Sequence, residues 1–528
     1  MKETDKTSKQ FPGRLNGILL SVYIAFVFTT EYVIRDAFPN SYLLILIPVV
    51  LVLSILVCPF ILRQAAKLKI SLAGEKERIK GRILRSIIFF AIPLAVLLIY
   101  FFAYYPGCFS YDSFQQYDQA ISNHYSDWHP VMHTLFAFKL PLVLTGGWKA
   151  SIILFQIILF ATVLGYSFST VCRYTNMKIT VLIMAYLLLN PLLGAMTMFP
   201  WKDTTFAIGT LLLFIYAFRI YMTKGGWIRS PLNMTLFILD AAFITLIRHN
   251  GILFTAFIIF AVFFCISAKR SAVLCLCILV LVIGVRVPVY SAIGVEKPGN
   301  RKVETLGLPL TVIGAAVTNT PDLIDEDIKQ FAYQIAPKEV WQEKYVIGSF
   351  QQVKFDDKAN TDIVEEYGTQ KVVSMMFRCF RQSPEESFKA LIKLTEASYT
   401  ITDEYNDGII LGIQPTDSGN QPVQSILREY CYFTSCCFPY LFIRIGVLLL
   451  LLIVAVLSKC RLNSRKDLKK VLFVLPVFAY NYGTSLLLTG NELTTRFFFY
   501  TFVLVPFMLA FLFIEEGKES DSSVVLTA

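Results

Sequence analysis

Residues 107–133, GCFSYDSFQQYDQAISNHYSDWHPVMH, gather three aspartates and three of the four histidines of a 528-residue chain between two long apolar segments. Such polar chemistry lies against a membrane. A carboxylate such as Asp112, beside Tyr111, Ser113, Gln115 and Gln116, is costly to hold where hydrocarbon meets water, and so points to a reactive site. The plainer reading is an ordinary solvated loop.

Working outward, composition sets the class. With 55% hydrophobic residues, 16% charged residues and a mean hydropathy of +0.58, the chain is not a set of water-soluble domains. An all-α polytopic membrane protein is expected. Windows of about 20 apolar residues, the length a bilayer core of roughly 30 Å demands, predict twelve spans. They run 15–34, 41–62, 86–105, 149–172, 178–197, 203–222, 233–248, 251–268, 271–290, 436–457, 470–489 and 497–514. The first follows a charged segment without a small-residue cleavage site and reads as a retained anchor. Residues 130–145, interrupted by Lys139 and Pro141, read as a helix in the outer interface, the alternative being a thirteenth span. Arg248-His249-Asn250-Gly251 reads as a short turn between two spans or the tip of a re-entrant hairpin.

Lysine and arginine placement orients the spans. With the N-terminus inside, 26 of the 48 lie in inner loops and tails, whereas the short outer loops hold six: Arg35, Lys139, Lys149, Lys202, Arg248 and Arg496. Both termini are then cytoplasmic and the 107–133 loop faces out. The formal charge of +10 is explained by this asymmetry against anionic lipid, not by nucleic acid. Eleven cysteines show no zinc-ribbon spacing; Cys108, Cys379, Cys431, Cys436 and Cys437 fall outside or at the outer edge, where a disulfide among them stays open.

Four regions follow. Residues 1–85 form a two-span preface with a basic inner loop; 86–290 form a seven-span core carrying the outer loop 106–148; 291–435 form a mixed or mainly helical extracytoplasmic segment; 436–528 hold three closing spans and a tail. Within the outer segment, 371–398 reads as amphipathic helix broken at Ser383-Pro384, with Ser383 as cap.

Four polar constellations sit at predicted outer helix ends. Asp112 suits a general base, or an N-cap for a helix over 113–121. Asp127, His129 and His133, with the histidines four apart on one helix face, suit substrate positioning, a divalent metal being the alternative. Lys202-Asp203 opens a span and reads more plainly as an interfacial anchor. Arg248 with Asn250, and Glu492 with Arg496, offer guanidinium groups that match phosphate oxygens; snorkelling to lipid headgroups is the plainer alternative.

The order of these elements resembles the GT-C superfamily of integral-membrane glycosyltransferases. The likeness rests on an outward Asp after a span, DWHPVMHTLFAFKLPLVLTGG (127–147), a second outer polar pair, LIRHNGIL (246–253), and ELTTRFFFY (492–500) leading to VLVPF (503–507). It is most similar to the branch with protein O-mannosyltransferases and the lipid A aminoarabinose transferase, and to uncharacterised bacterial relatives of that branch, over 86–290 and 470–514. Asp112 stands alone where that branch pairs two acids, two spans precede the core, and the soluble segment precedes the last three spans.

The resemblance implies a polyprenyl-phosphate sugar donor and an extracytoplasmic acceptor. Asp112 would take the acceptor's proton. Arg248, Arg496 and Lys202 would stabilise the phosphate, Tyr111, Gln115, Asp127, His129, His133, Asp203, Asn250 and Glu492 would contribute to substrate binding, and transfer would invert the anomeric carbon. No cofactor is called for beyond the metal alternative. A multi-pass transporter or lipid-linked glycan flippase, suggested by Asp240 and Glu31 within spans, is the rival from another class; a surface polysaccharide polymerase or ligase is a third.

Overall fold

The computed structural model describes residues 14–35, 42–71, 79–297, 301–401, 418–459, 465–490 and 494–514. Among these the chain is all-α, with isolated bridges such as Ser126 to Glu296 and no strand. Six helices are long and apolar enough to cross a membrane: Arg14–Val33, Leu43–Lys67, Lys80–Ala103, Ser151–Tyr174, Lys202–Met222 and Ala268–Ala292. Their outer faces carry bare apolar side chains, Leu44 at 80% exposure and Leu56 at 69% among them. Water would penalise such faces, and hydrocarbon accepts them.

The predicted span 178–197 is bent. Met177–Leu189 and Pro191–Thr197 meet at 60°, and together they make a seventh candidate span. Pro191 has no N–H to continue the first helix, and Asn190 restarts the chain by accepting a hydrogen bond from the Leu192 N–H at 2.9 Å. Its Nδ2 donates to the Phe442 carbonyl at 3.1 Å, which ties the bend to the segment before Ile445–Lys459.

The other predicted spans fall on helices that are shorter or less apolar. These are Pro231–Ile247, Gly251–Phe263, Ile445–Lys459, Arg465–Ser485 and Phe499–Phe513. The first two are separated by Arg248-His249-Asn250. A Cβ at Gly251 would lie 2.3 Å from the Ile244 carbonyl oxygen, so this tight turn needs glycine. Residues 130–145 fold as the helix Val131–Leu144, with a π-helical stretch at Thr134–Lys139.

Helix 202–222 is the hub of the main core. It is buried along nearly its whole length, and Phe206, Phe214 and Phe218 are fully enclosed. The two-span preface docks on the closing helix Ile445–Lys459, where Asn16 Nδ2 donates to the Leu457 carbonyl at 2.7 Å. Residues 301–398 build a second core around Trp341, Phe331 and Phe350. That unit leans on the end of helix Arg465–Ser485 through Phe350 N–H to the Thr489 carbonyl (2.7 Å) and Ser398 to Ser485 (2.7 Å). The amphipathic stretch 371–398 appears as Thr369–Gln382 and Pro384–Thr395, broken where expected. Ser383, however, does not cap; its hydroxyl pairs with Thr320 at 2.7 Å.

Candidate functional site

The 107–133 loop begins with the helix Tyr111–Ser122, with Ser110 at the capping position. Asp112 therefore lies in the first turn and not at the cap. Its carboxylate has a different use: Oδ2 accepts from Arg496 Nη2 at 2.6 Å. A clip holds this helix from its far side, where the Lys149 ammonium sits over the rings of Phe109, Phe114 and Tyr117 at 4.2, 4.7 and 5.2 Å.

From Asp112 a line of alternating charge runs inward. Arg496 Nε donates to Asp203 Oδ2 at 2.8 Å, and Asp203 Oδ1 meets Arg248 Nη1 at 2.6 Å. Side-chain exposure falls along it from 29% at Asp112 to 8% at Arg496 and 0% at Asp203. Asp112 is the open end. Arg496 lies 4.3 Å over the Trp201 ring, whose Nε1 donates to Ser110 Oγ at 2.7 Å. Arg248 is boxed by Phe206, Tyr480 and Phe497 and also donates to the Phe497 carbonyl at 3.3 Å. Buried guanidinium groups persist only when paired in this way.

Lys202 is the odd cation. Among the described residues no carboxylate lies within ion-pair distance of its Nζ, which approaches His129 Nδ1 at 3.4 Å. An ammonium only donates, so Nδ1 accepts and Nε2 carries the proton, which it gives to Gln115 Oε1 at 3.2 Å. Burial, reinforced by Lys202, pushes the His129 imidazole down to about 3. It is neutral at physiological pH. His133 is also enclosed: its Nδ1 faces Gln116 Oε1 at 2.7 Å and its Nε2 faces Thr205 Oγ1 at 3.1 Å.

The geometry sorts the predicted site residues. Asp112, Lys202, Asp203, Arg248 and Arg496 form one cluster, with Gln115, His129 and His133 packed beside it. Tyr111 is 76% exposed at its rim. Asn250 lies a step away, accepting from the Tyr480 hydroxyl (2.9 Å) and donating to Thr484 (3.0 Å), so it anchors the Arg248 turn. Asp127 sits on the other side of the loop, where its N–H donates to the Glu296 carbonyl at 3.0 Å and its charge acts on Tyr290. Glu492 lies outside the described residues. Trp201, Ser110, Gln116 and Thr205 complete the site; no spacing in the sequence marked them, apart from the place of Trp201 beside Lys202.

The metal alternative on Asp127, His129 and His133 lacks its geometry. Both ring nitrogens of each histidine face protein partners, Asp127 is turned away, and no three of His, Cys, Asp and Glu converge as a metal site among the described residues. The ten described cysteines are free thiols.

Counting formal charge among the described residues, Lys202, Arg248 and Arg496 face Asp112 and Asp203 across the neutral imidazoles of His129 and His133, an excess of one positive charge. Burial is the largest single effect and disfavours an ionised Asp112, but its neighbours together, Arg496 foremost and Lys202 with it, outweigh burial and hold the carboxyl below the usual range. The arrangement can attract an anion and offer a carboxylate beside it. No protein-family model, curated protein or solved structure matches the chain.

Proposed function

We propose that this protein is a GT-C-like membrane glycosyltransferase of about twelve spans, moving a sugar from a polyprenyl-phosphate donor to an extracytoplasmic acceptor in the cell envelope. One observation carries the reading: a partly exposed carboxylate, Asp112, stands beside a cluster in which, among the described residues, three cations face two carboxylates. The donor's lipid lies in the bilayer while its head reaches the outer face. Its phosphate meets Lys202 and Arg496. The acceptor oxygen attacks the anomeric carbon, its proton passes to Asp112, and the bond to the phosphate oxygen breaks with the electron pair staying on phosphate. Attack from the face opposite the phosphate inverts the sugar.

Gln115 and His129 hold Lys202 in place, and Asp203 with Arg248 sets Arg496. The 291–435 segment, joined to the loop through Glu296 and to helix 465–485, covers the site and selects the acceptor. The test is to load the purified protein with a panel of polyprenyl-phosphate sugars and follow transfer or hydrolysis. Turnover with one member is expected; no binding and no turnover with any of them would overturn the proposal.

A transporter reading draws on Asp240, buried in the middle of helix Pro231–Ile247 with one carboxylate oxygen lacking a hydrogen-bond partner. It is a single acid away from the cluster, whereas Asp112, Lys202, Asp203, Arg248 and Arg496 all lie at helix ends. Vesicle uptake without sugar transfer would favour it.

A further inference from the structure

Arg496 serves two carboxylates at once, and only one of them is fixed. Asp203 is fully enclosed and held by both Arg496 and Arg248. Asp112 is the exposed partner, and among the described residues its carboxylate takes its hydrogen bond from Arg496 alone. A base clamped to a guanidinium is a poor proton acceptor. The catalytic assignment of Asp112 therefore needs something to loosen the clamp.

The geometry points to Arg496 as a two-position partner that rests on Asp112 in this structure and turns to the donor's phosphate when the donor binds, pivoting on Asp203. This rests on the phosphate-donor reading above. The guanidinium fork fits two phosphate oxygens as well as it fits a carboxylate, and because the fork is rigid, a tilt of the whole group about the Nε–H bond to Asp203 carries Nη2 away from Asp112. Lys202, within electrostatic reach of both Asp112 and Arg496, brings the anion to the same place.

The groups that face Asp112 are Arg496 from 494–497, His129 from the loop before Val131, and Lys202 from the head of helix 202–222. His129 is neutral, and Arg496 alone is bonded to the carboxylate. When Arg496 leaves and a negative phosphate arrives, Asp112 becomes more basic on both counts. The donor thus switches on the base that will act on it. Until the donor is seated, Asp112 does not activate water or the acceptor. During transfer the acceptor proton ends on Asp112, and the leaving phosphate monoester keeps the electron pair, its extra charge met by Arg496 and Lys202.

The experiment is calorimetric titration of the full chain in detergent with the methyl diester of farnesyl phosphate, which has no group titrating near neutrality. It is run in mildly acidic buffers of different ionisation heat. Binding is expected to take up a fraction of a proton, and infrared difference spectra of the unaltered protein are expected to show carboxylate converting to carboxylic acid. Asp112→Asn should abolish the uptake and bind the diester several-fold more tightly, because Arg496 no longer leaves a carboxylate. Binding with neither uptake nor infrared change, or uptake that persists in Asp112→Asn, overturns the switch but leaves the phosphate-donor reading standing. No binding overturns both.

Discussion

Asp203 is the residue whose removal the structure says will hurt most, and its effect has an internal control. Its side chain is fully buried, and its two oxygens hold Arg248 at 2.6 Å and Arg496 at 2.8 Å. Asp203→Leu keeps the branched shape, with bulkier ends, but strands Arg248, whose side chain is 6% exposed among three aromatic rings. Breaking a buried pair from one side costs roughly 3–5 kcal/mol, because the remaining charge stays desolvated. Replacing both partners with apolar groups of similar size is often neutral. Arg248→Met added to Asp203→Leu should therefore recover about 2 kcal/mol or more, leaving Arg496 paired with Asp112. The assay is thermal or SDS-induced unfolding of the four proteins of the cycle, in one detergent. The double variant should be more stable than Asp203→Leu alone. Additive losses, or an Asp203→Leu protein as stable as the original, would refute the claim that these charges are buried and interdependent.

Four further outcomes are expected. Asp112→Asn should lower sugar transfer by about 10²-fold or more, the usual worth of a positioned general base, while the protein still inserts and unfolds cooperatively; unchanged transfer in a turnover assay would sink the mechanism. His129 is held at about 3 in the fold against an ordinary 6.5, so the unfolded chain binds the extra proton and stability must fall as pH drops from 6.5 towards 3. The loss is on the order of a few kcal/mol, His133 adds to the slope, and His129→Gln should flatten part of it in melting curves taken across that range. Asp112, whose carboxyl Arg496 and its other neighbours hold below the usual carboxylate range, loses its ion pair only as pH falls below that range. Asn190→Ala should cost about 1–2 kcal/mol in unfolding assays, through the lost cap and the orphaned Phe442 carbonyl. Lys149→Ala removes a cation from three rings and should loosen helix 111–122 by roughly 1 kcal/mol, read as faster hydrogen exchange there, with Lys149→Arg close to normal.

The sequence marked the site's ingredients more clearly than their connections. Asp112, Lys202, Arg248 and Arg496 stood out because each is a charge at the edge of an apolar run, a costly position that local composition exposes. That Arg496 pairs with Asp112, 384 residues away, and with Asp203, 293 residues away, has no local signal. The cap reading of Asp112 failed because the helix starts at Tyr111, two residues earlier than expected, which puts Ser110 at the capping position and Asp112 in the first turn. The Asn190-Pro191 bend did have a local mark. Hydropathy averaging ran across it, because its flanks are equally apolar. Asp127 shared a motif with His129 and His133, yet only the two histidines pack beside the cluster, whereas Asp127 lies by Glu296 and Tyr290.

The charge line from Asp112 to Arg248 also imposes an order on biosynthesis. Asp112, Asp203 and Arg248 are all made before Arg496, which follows Arg248 by 248 residues. Until Arg496 is made, Asp112 waits without its guanidinium, and Asp203 has only Arg248. The cluster therefore cannot reach its final charge balance until the segment around residue 496 is in place. A chain cut anywhere before residue 496 leaves Asp112 without the guanidinium that pairs with it, however well its first 290 residues have folded.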